Sequence, residues 1–289
     1  MLGLAISAPA QQVVPLWPNG TPEPTHFQDP ERDVTRPADR LIAGGRVTRY
    51  SFVSSPTMTV FAAGAANNSG TAVVVFPGGA YRILAYDAEG TEVCTWLRTL
   101  GVTCLLVKYR VPETSTFPQN VADLEDAQQA IRIARSRAAE WHIQPQKIGV
   151  LGFSAGAHLA ILASNHPTYT RPGAPSNPLS SVSAKPDFAI AIYPAYLASP
   201  PALEKLNVGI DPSALTPPTF LVQAEDDPVH VENALVYYRA LKELHVESEL
   251  HVYSRGGHGF GLRPTELPIT HWPELAATWM RSIHMLASR

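Results

Sequence analysis

The chain has 289 residues with 22 basic against 25 acidic side chains, a formal charge of −3, so it lacks the concentrated positive charge that a nucleic-acid binder needs. Its 45% apolar residues suffice for a sizeable core, yet nowhere do they run on for the ~18 residues of a membrane span. The two cysteines cannot make a disulfide framework and have no metal-ligand spacing.

In chain order, residues 1–12 come first. Residues 2–6 form a short apolar stretch, and Ala8-Pro9-Ala10 has the small-x-small form of a signal-peptidase site. The segment reads as a signal-peptide remnant, which implies a secreted or periplasmic protein, or as a frayed terminus of a cytoplasmic one. Residues 13–289 are expected to form one domain, opening with an irregular arm over about 13–46 that is rich in Pro, Asp, Arg and Thr.

Residues 47–53 and 57–63 are β-formers split by Ser54-Ser55-Pro56, which suits an antiparallel hairpin. Residues 72–76 are continuously apolar, the mark of a strand covered on both faces. Val93, Trp96, Leu97 and Leu100 have helical spacing closed by Gly101, and residues 102–107 form another buried-type strand. Val121, Leu124, Ala127, Ile131, Ala134, Ala138 and Trp141 step as one amphipathic helix. Residues 148–152, 188–193, 219–223 and 249–253 read as strands, and 157–164, 231–244 and 272–286 as helices. Strand-helix repeats with doubly buried strands predict a mostly parallel sheet with helices on both faces. The irregular stretches 166–186 and 194–216 are candidate lids. Cys94 and Cys104 read as two small buried hydrophobes, with a bridge between them left for geometry to decide.

Gly152-Phe153-Ser154-Ala155-Gly156 lies between a buried strand and a helix, the context of a nucleophile elbow. Small neighbours permit the tight turn that lifts Ser154 above the carboxyl edge of the sheet. A serine hydroxyl needs a base, and the base an orienting carboxylate. His258, in a glycine-rich loop after strand 249–253, and Asp227, just past strand 219–223, complete the order Ser154, Asp227, His258. Asp226 and then Glu225 are the alternative acids. His251 reads as a strand residue, His158 as a locally bonded helix residue, and His230 as a competitor for the loop of Asp227. For the oxyanion, the backbone N–H groups of Gly79, Ala80 and Ala155 are the expected donors, the first two from the loop Pro77-Gly78-Gly79-Ala80.

These motifs resemble those of the α/β-hydrolase superfamily, in particular esterases related to hormone-sensitive lipase and bacterial acetylxylan and feruloyl esterases. Pro77-Gly78-Gly79-Ala80 stands where the lipase relatives carry His-Gly-Gly-Gly, departing at the first and last positions. Tyr109-Arg110-Val111-Pro112-Glu113 is similar to their Tyr-Arg-Leu-Ala-Pro-Glu block, and GFSAGAHL over 152–159 to the carbohydrate-esterase elbow. Trp17-Pro18-Asn19-Gly20 and residues 256–262 extend the likeness over most of the chain. The resemblance implies an α/β-hydrolase fold with a small cap or none. It also implies a serine esterase without cofactor or metal, acting on short acyl esters such as acetyl groups of xylan or related carbohydrates.

A small-molecule or oligosaccharide ester is then the expected partner, with no nucleic acid or membrane, and the oligomeric state is left open. Tyr81, Arg82 and Trp272 are candidate substrate contacts. Asp87 and Glu89 are candidates for sugar hydroxyls or for capping, and Trp17 with Trp272 for a stacking wall or for core packing. Arg110 and Asp126 read as a structural pair. Two other functions share the scaffold. A prolyl-oligopeptidase-like peptidase has the same residue order, but the irregular amino end is too short for a propeller. A non-catalytic binding protein would be expected to have lost one of the three site residues.

Overall fold

The computed structural model describes residues 11–115 and 117–287; most of the leader-like segment, residues 1–10, lies outside them. Eleven strands are found among the described residues: β1 (Gln12–Pro15), β2 (Arg32–Asp33), β3 (Arg49–Ser51), β4 (Thr57–Phe61), β5 (Ala72–Phe76), β6 (Leu84–Ala85), β7 (Thr103–Lys108), β8 (Ile148–Phe153), β9 (Ala189–Ile192), β10 (Thr219–Ala224) and β11 (Ser248–Tyr253). The helices are α1 (Glu92–Thr99), α2 (Ala122–Ser136), α3 (Ala155–Asn165), α4 (Glu232–Glu243) and α5 (Trp272–Ser282).

The main sheet has the order β1-β4-β7-β5-β8-β9-β10-β11. Its six strands from β7 to β11 run parallel, and β4 and β1 add an antiparallel edge. The alternation of side chains along β5 divides the core. Ala72, Val74 and Phe76 pack with α2, α3 and α4, while Val73 and Val75 pack with α1 and α5. Both faces are thus covered, as continuous apolar strands require. The chain leaves β5 toward α1 and β7, and leaves β8 toward α3 and β9, on the opposite side. Between these diverging exits, where Phe76 pairs with Gly152, a crevice opens at the carboxyl edge.

Three expectations are corrected. The arm is not wholly irregular, because Gln12–Pro15 pairs antiparallel with β4, opposite residues 57–60. Residues 47–53 and 57–63 form no hairpin. Phe52 takes φ of 61°, which ends the extended run, and β3 joins β2 and β6 in a separate antiparallel sheet while β4 enters the main one. Cys94 and Cys104 are joined by a disulfide, since α1 lies on the face where β7 presents Cys104 and the two Cα atoms stand 5.1 Å apart. That cross-link closes a short loop and contributes roughly 3 kcal/mol by chain entropy. Neither irregular stretch forms a separate cap. The 166–186 segment is fastened to α2 through Arg171–Glu125 and Asn177–Gln129 and to the arm through Arg171 and the Pro22 carbonyl, and 194–216 begins beside Ser154, where Ala195 N–H donates to its carbonyl.

Candidate functional site

Ser154 stands between β8 and α3 with φ 53° and ψ −118°, a conformation costing roughly 1–3 kcal/mol for a residue with a Cβ. The turn is so tight that a Cβ on Gly152 would sit 2.0 Å from the Gly156 carbonyl oxygen. The hydroxyl reaches the crevice at the amino end of α3, whose dipole favours negative charge there.

His258 Nε2 is 2.8 Å from Ser154 Oγ, and His258 Nδ1 is 2.9 Å from Asp227 Oδ2. With the carboxylate as acceptor, Nδ1 carries the proton and Nε2 is free to accept the serine hydroxyl. The Asp227 carboxylate is buried and held from three directions, by His258, by the Val229 amide at 2.7 Å and by Gln223 Nε2 at 3.2 Å. Asp226 points elsewhere. Its Oδ1 accepts the amides of Gly256 and Gly257 at 2.9 and 2.7 Å, which pins the loop that carries His258. Glu225 is exposed on the turn.

The loop after β5 brings Gly79 and Ala80 to the same crevice. Gly79 has φ 137°, and a Cβ there would fall 2.0 Å from the Ile83 carbonyl oxygen, so only glycine fits. Among the described residues the amides of Gly79, Ala80 and Ala155 donate to no carbonyl or side chain. The rest of the loop is tied down: Tyr109 Oη donates to the Pro77 carbonyl at 2.6 Å, and the Gly78 amide donates to Glu89 Oε2 at 2.7 Å. Beyond the loop, β6 anchors it to the small sheet, and the Ala85 amide returns to the Gly78 carbonyl. Three free donors beside one hydroxyl make a cradle for an anionic oxygen.

The other histidines are accounted for. His158 is buried, its Nδ1 accepts the Tyr81 hydroxyl at 2.7 Å, and burial alone pushes its pKa down to about 3. His251 bonds Glu249 on the edge strand, and His230 uses its backbone to close the turn at Asp227.

Several candidate substrate contacts are overturned. Trp272 is wholly buried at the start of α5, and its Nε1 donates to the Gly261 carbonyl at 2.9 Å, supporting the histidine loop from within the core. Tyr81 is buried as well, its hydroxyl occupied by His158 and its ring stacked on Tyr196. Trp17 is no stacking wall, since its Nε1 donates to Asp126 at 2.7 Å. Asp87 receives the Thr48 amide and hydroxyl, and Glu89 is buried. Arg82 alone is exposed, two residues past Ala80. Arg110 and Asp126 are the buried pair expected of them. Sequence reasoning missed Tyr193 as part of the site, and it set Glu89 toward substrate or a helix cap instead of behind the oxyanion loop. A charged residue inside an otherwise buried turn was the available signal for Glu89; nothing in the sequence singled out Tyr193.

A cavity of about 920 Å³ lies elsewhere, between the arm, α2 and residues 169–180, and none of Ser154, Asp227 or His258 lines it. The hydrogen-bonded chain and the free amides identify the reactive place, not cavity size. Among the described residues no group of three or more His, Cys, Asp or Glu is placed to hold a metal ion, and no helix is long and apolar enough to cross a membrane.

The chain is similar to several known proteins. The family model BD-FAE matches residues 58–191. An acetylxylan esterase of Xylanibacter ruminicola is 33% identical over 220 residues, covering 68% of this chain and 42% of that protein. Endo-1,4-beta-xylanase B of Butyrivibrio fibrisolvens is 28% identical over 205 residues, 65% of this chain and 32% of its own length. The chain thus spans less than half of these curated relatives. Among solved structures, the acetyl ester-xyloside bifunctional hydrolase of Caldicellulosiruptor lactoaceticus superposes with a TM-score of 0.74 at 31% identity, over 96% of this chain and 97% of that one. The carboxylesterase Cest-2923 of Lactobacillus plantarum reaches 0.67 at 19% identity, over 91% and 100%, a likeness of fold.

Proposed function

The chain belongs to the α/β-hydrolase superfamily, and on that footing we propose that it is a serine carboxylic-ester hydrolase with Ser154 as nucleophile, His258 as base and Asp227 as orienting acid. The observation that carries the reading is the 2.8 Å contact from Ser154 Oγ to a histidine nitrogen whose partner nitrogen faces a buried carboxylate. Ser154 attacks the ester carbonyl while its proton passes to His258 Nε2. Asp227 keeps the imidazole in the right tautomer and stabilises the imidazolium. The carbonyl oxygen, now negative, is held by the amides of Gly79, Ala80 and Ala155. His258 then protonates the departing alcohol, which leaves the acyl group on Ser154 Oγ; it next takes a proton from a water that attacks the acyl carbonyl, and hands that proton to Ser154 Oγ as the acid departs. These steps call for no cofactor.

For substrate we infer a short acyl ester, in particular an acetyl group on xylan or a related carbohydrate. The similarity to an acetylxylan esterase and to an acetyl ester-xyloside hydrolase supports this, as does the lack of a separate cap to cradle a long chain among the described residues. Arg82, exposed beside the oxyanion loop, is the remaining candidate for contact with the alcohol part.

The test is a panel of acetylated xylooligosaccharides, feruloyl esters and nitrophenyl esters of rising chain length, together with a peptide amide and fluorophosphonate labelling. Acetyl esters should be cleaved fastest and the label should sit on Ser154. Cleavage of the amide in preference to esters would mean a peptidase; no label and no turnover would mean a binding protein. An exported setting is also proposed, supported by the Cys94–Cys104 bond, because disulfides persist in oxidising compartments. Recovery of the protein only from the cytoplasm, with both thiols free, would refute it.

A further inference from the structure

One buried carboxylate touches both halves of the site. Glu89 lies in a π-helical turn, Asp87–Thr91, that leads into α1. Its Oε2 accepts the Gly78 amide at 2.7 Å, next to the two free amides of the oxyanion loop. Its Oε1 accepts the hydroxyl of Tyr193, at the end of β9, at 2.8 Å. That same hydroxyl oxygen accepts the Gly261 amide at 3.1 Å, and the Tyr193 ring stands edge-on to the His258 ring with centroids 4.9 Å apart. Tyr193 is wholly buried and holds a left-handed backbone, φ 39°.

We propose that Glu89 and Tyr193 are a positioning pair that sets the oxyanion loop and the histidine loop at a fixed distance from each other. The inference rests on the esterase reading and gives it a device that composition and motif do not contain. The direction of the hydrogen bonds supports the charged form. Tyr193 Oη already accepts from Gly261, so its proton goes to Glu89, and the Gly78 amide can only donate. Both carboxylate oxygens therefore face donors. Burial raises the Glu89 pKa, while the Tyr193 and Gly78 hydrogen bonds and the facing His258 and Arg49 pull it down.

Glu89→Gln keeps the shape and removes the charge. It should lower kcat by about 100-fold with KM changed by no more than about 2-fold, because misplaced oxyanion donors are felt in the transition state and not in the bound ester. Tyr193→Phe removes only the linking oxygen and should lower kcat in the same way. The double variant should be no slower than the slower single, because both break one bridge. Should Glu89→Gln fail to fold, as judged by thermal melting, Tyr193→Phe decides by its kcat. Unchanged kcat in the folded variants, or losses that multiply in the double, overturn the proposal. Fluorophosphonate labelling of the wild type separates the failures: a labelled wild type with unaffected variants rejects the pair alone, whereas an unlabelled wild type rejects the esterase reading itself.

Discussion

The carboxyl edge around Ser154 and the helix face around Arg110 hold similar inventories: an acid pair, a cation or imidazole, and tryptophan or tyrosine close by. They differ in what remains unpaired. On the α2 face, Asp126 receives the Arg110 backbone amide, its Nε and Nη2, and the Trp17 indole, all between 2.7 and 3.1 Å. Arg110 Nη2 also reaches the Ala122 carbonyl at 2.9 Å. The pair holds the guanidinium well above its ordinary pKa, so it does not titrate. At the carboxyl edge the acids are equally well held, yet three amides have no acceptor and one hydroxyl faces an imidazole. A site that reacts keeps donors waiting for a charge that does not yet exist, whereas Arg110 and Asp126 spend theirs on each other, and what the α2 face leaves unpaired are acceptor oxygens of Asp123 and Glu125.

Four substitutions sharpen the contrast. The largest effect is expected from Ser154→Ala, which should reduce ester turnover by about 10⁶-fold and leave the melting temperature nearly unchanged. Residual turnover in clean protein above a thousandth of wild type would exclude Ser154 as nucleophile. Next comes the choice between neighbouring acids. Asp227→Asn should cost roughly 10³- to 10⁴-fold in kcat by spoiling the imidazole tautomer. Asp226→Ala, which frees only the Gly256 and Gly257 amides, should cost about 10- to 100-fold. A reversed order would make Asp226 the acid.

On the other region the readout changes from rate to stability. Asp126→Ala leaves the Arg110 guanidinium buried without its main partner and should destabilise the fold by about 3–5 kcal/mol. Below the lowered melting temperature its kcat for an acetyl ester should stay within about 2-fold of wild type, measured beside urea denaturation. A tenfold fall in kcat without loss of stability would join the two regions functionally.

Much of the reactive region was legible in the sequence because its parts are local. Residues 72–76 and 148–152 advertise themselves as continuous apolar runs, and Ser154 is flanked by the small residues its turn requires. His258 and Asp227 each follow directly on a readable strand. What stayed hidden depends on packing between distant segments. Phe52 ends β3 through a backbone angle that no residue type announces, and Cys94 meets Cys104 only because α1 docks over β7. Glu89 and Tyr193 are 104 positions apart, and Trp272 reads alike as a wall or as core until its burial is known. Exposed sugar contacts were expected at Tyr81 and Glu89 because polar tips suggested solvent; both tips turn inward to buried partners.

The smallest expected effect compares the two histidines closest to Ser154. His258 keeps its imidazole at the crevice, whereas His158 is sealed behind Tyr81 and stays neutral down to about pH 3 because burial penalises its charged form. Its folded pKa lies below the ordinary value near 6.5, so between those values the unfolded chain binds a proton that the folded protein refuses. The stability this contributes is fully present above about pH 6.5 and declines as the pH falls toward 3. From pH 7 to pH 5 the loss amounts to about 2 kcal/mol. Buried carboxyls whose pKa is raised, Glu89 and Asp123 among them, act with the opposite sign near their own ordinary values. Subtracting His158→Gln from wild type removes them. Urea denaturation at both pH values should therefore show the gap between wild type and His158→Gln shrinking by about 2 kcal/mol on acidification. Parallel stability curves would mean that His158 takes up its proton in the folded state, and that the sealed histidine is as open to solvent as the one at the crevice.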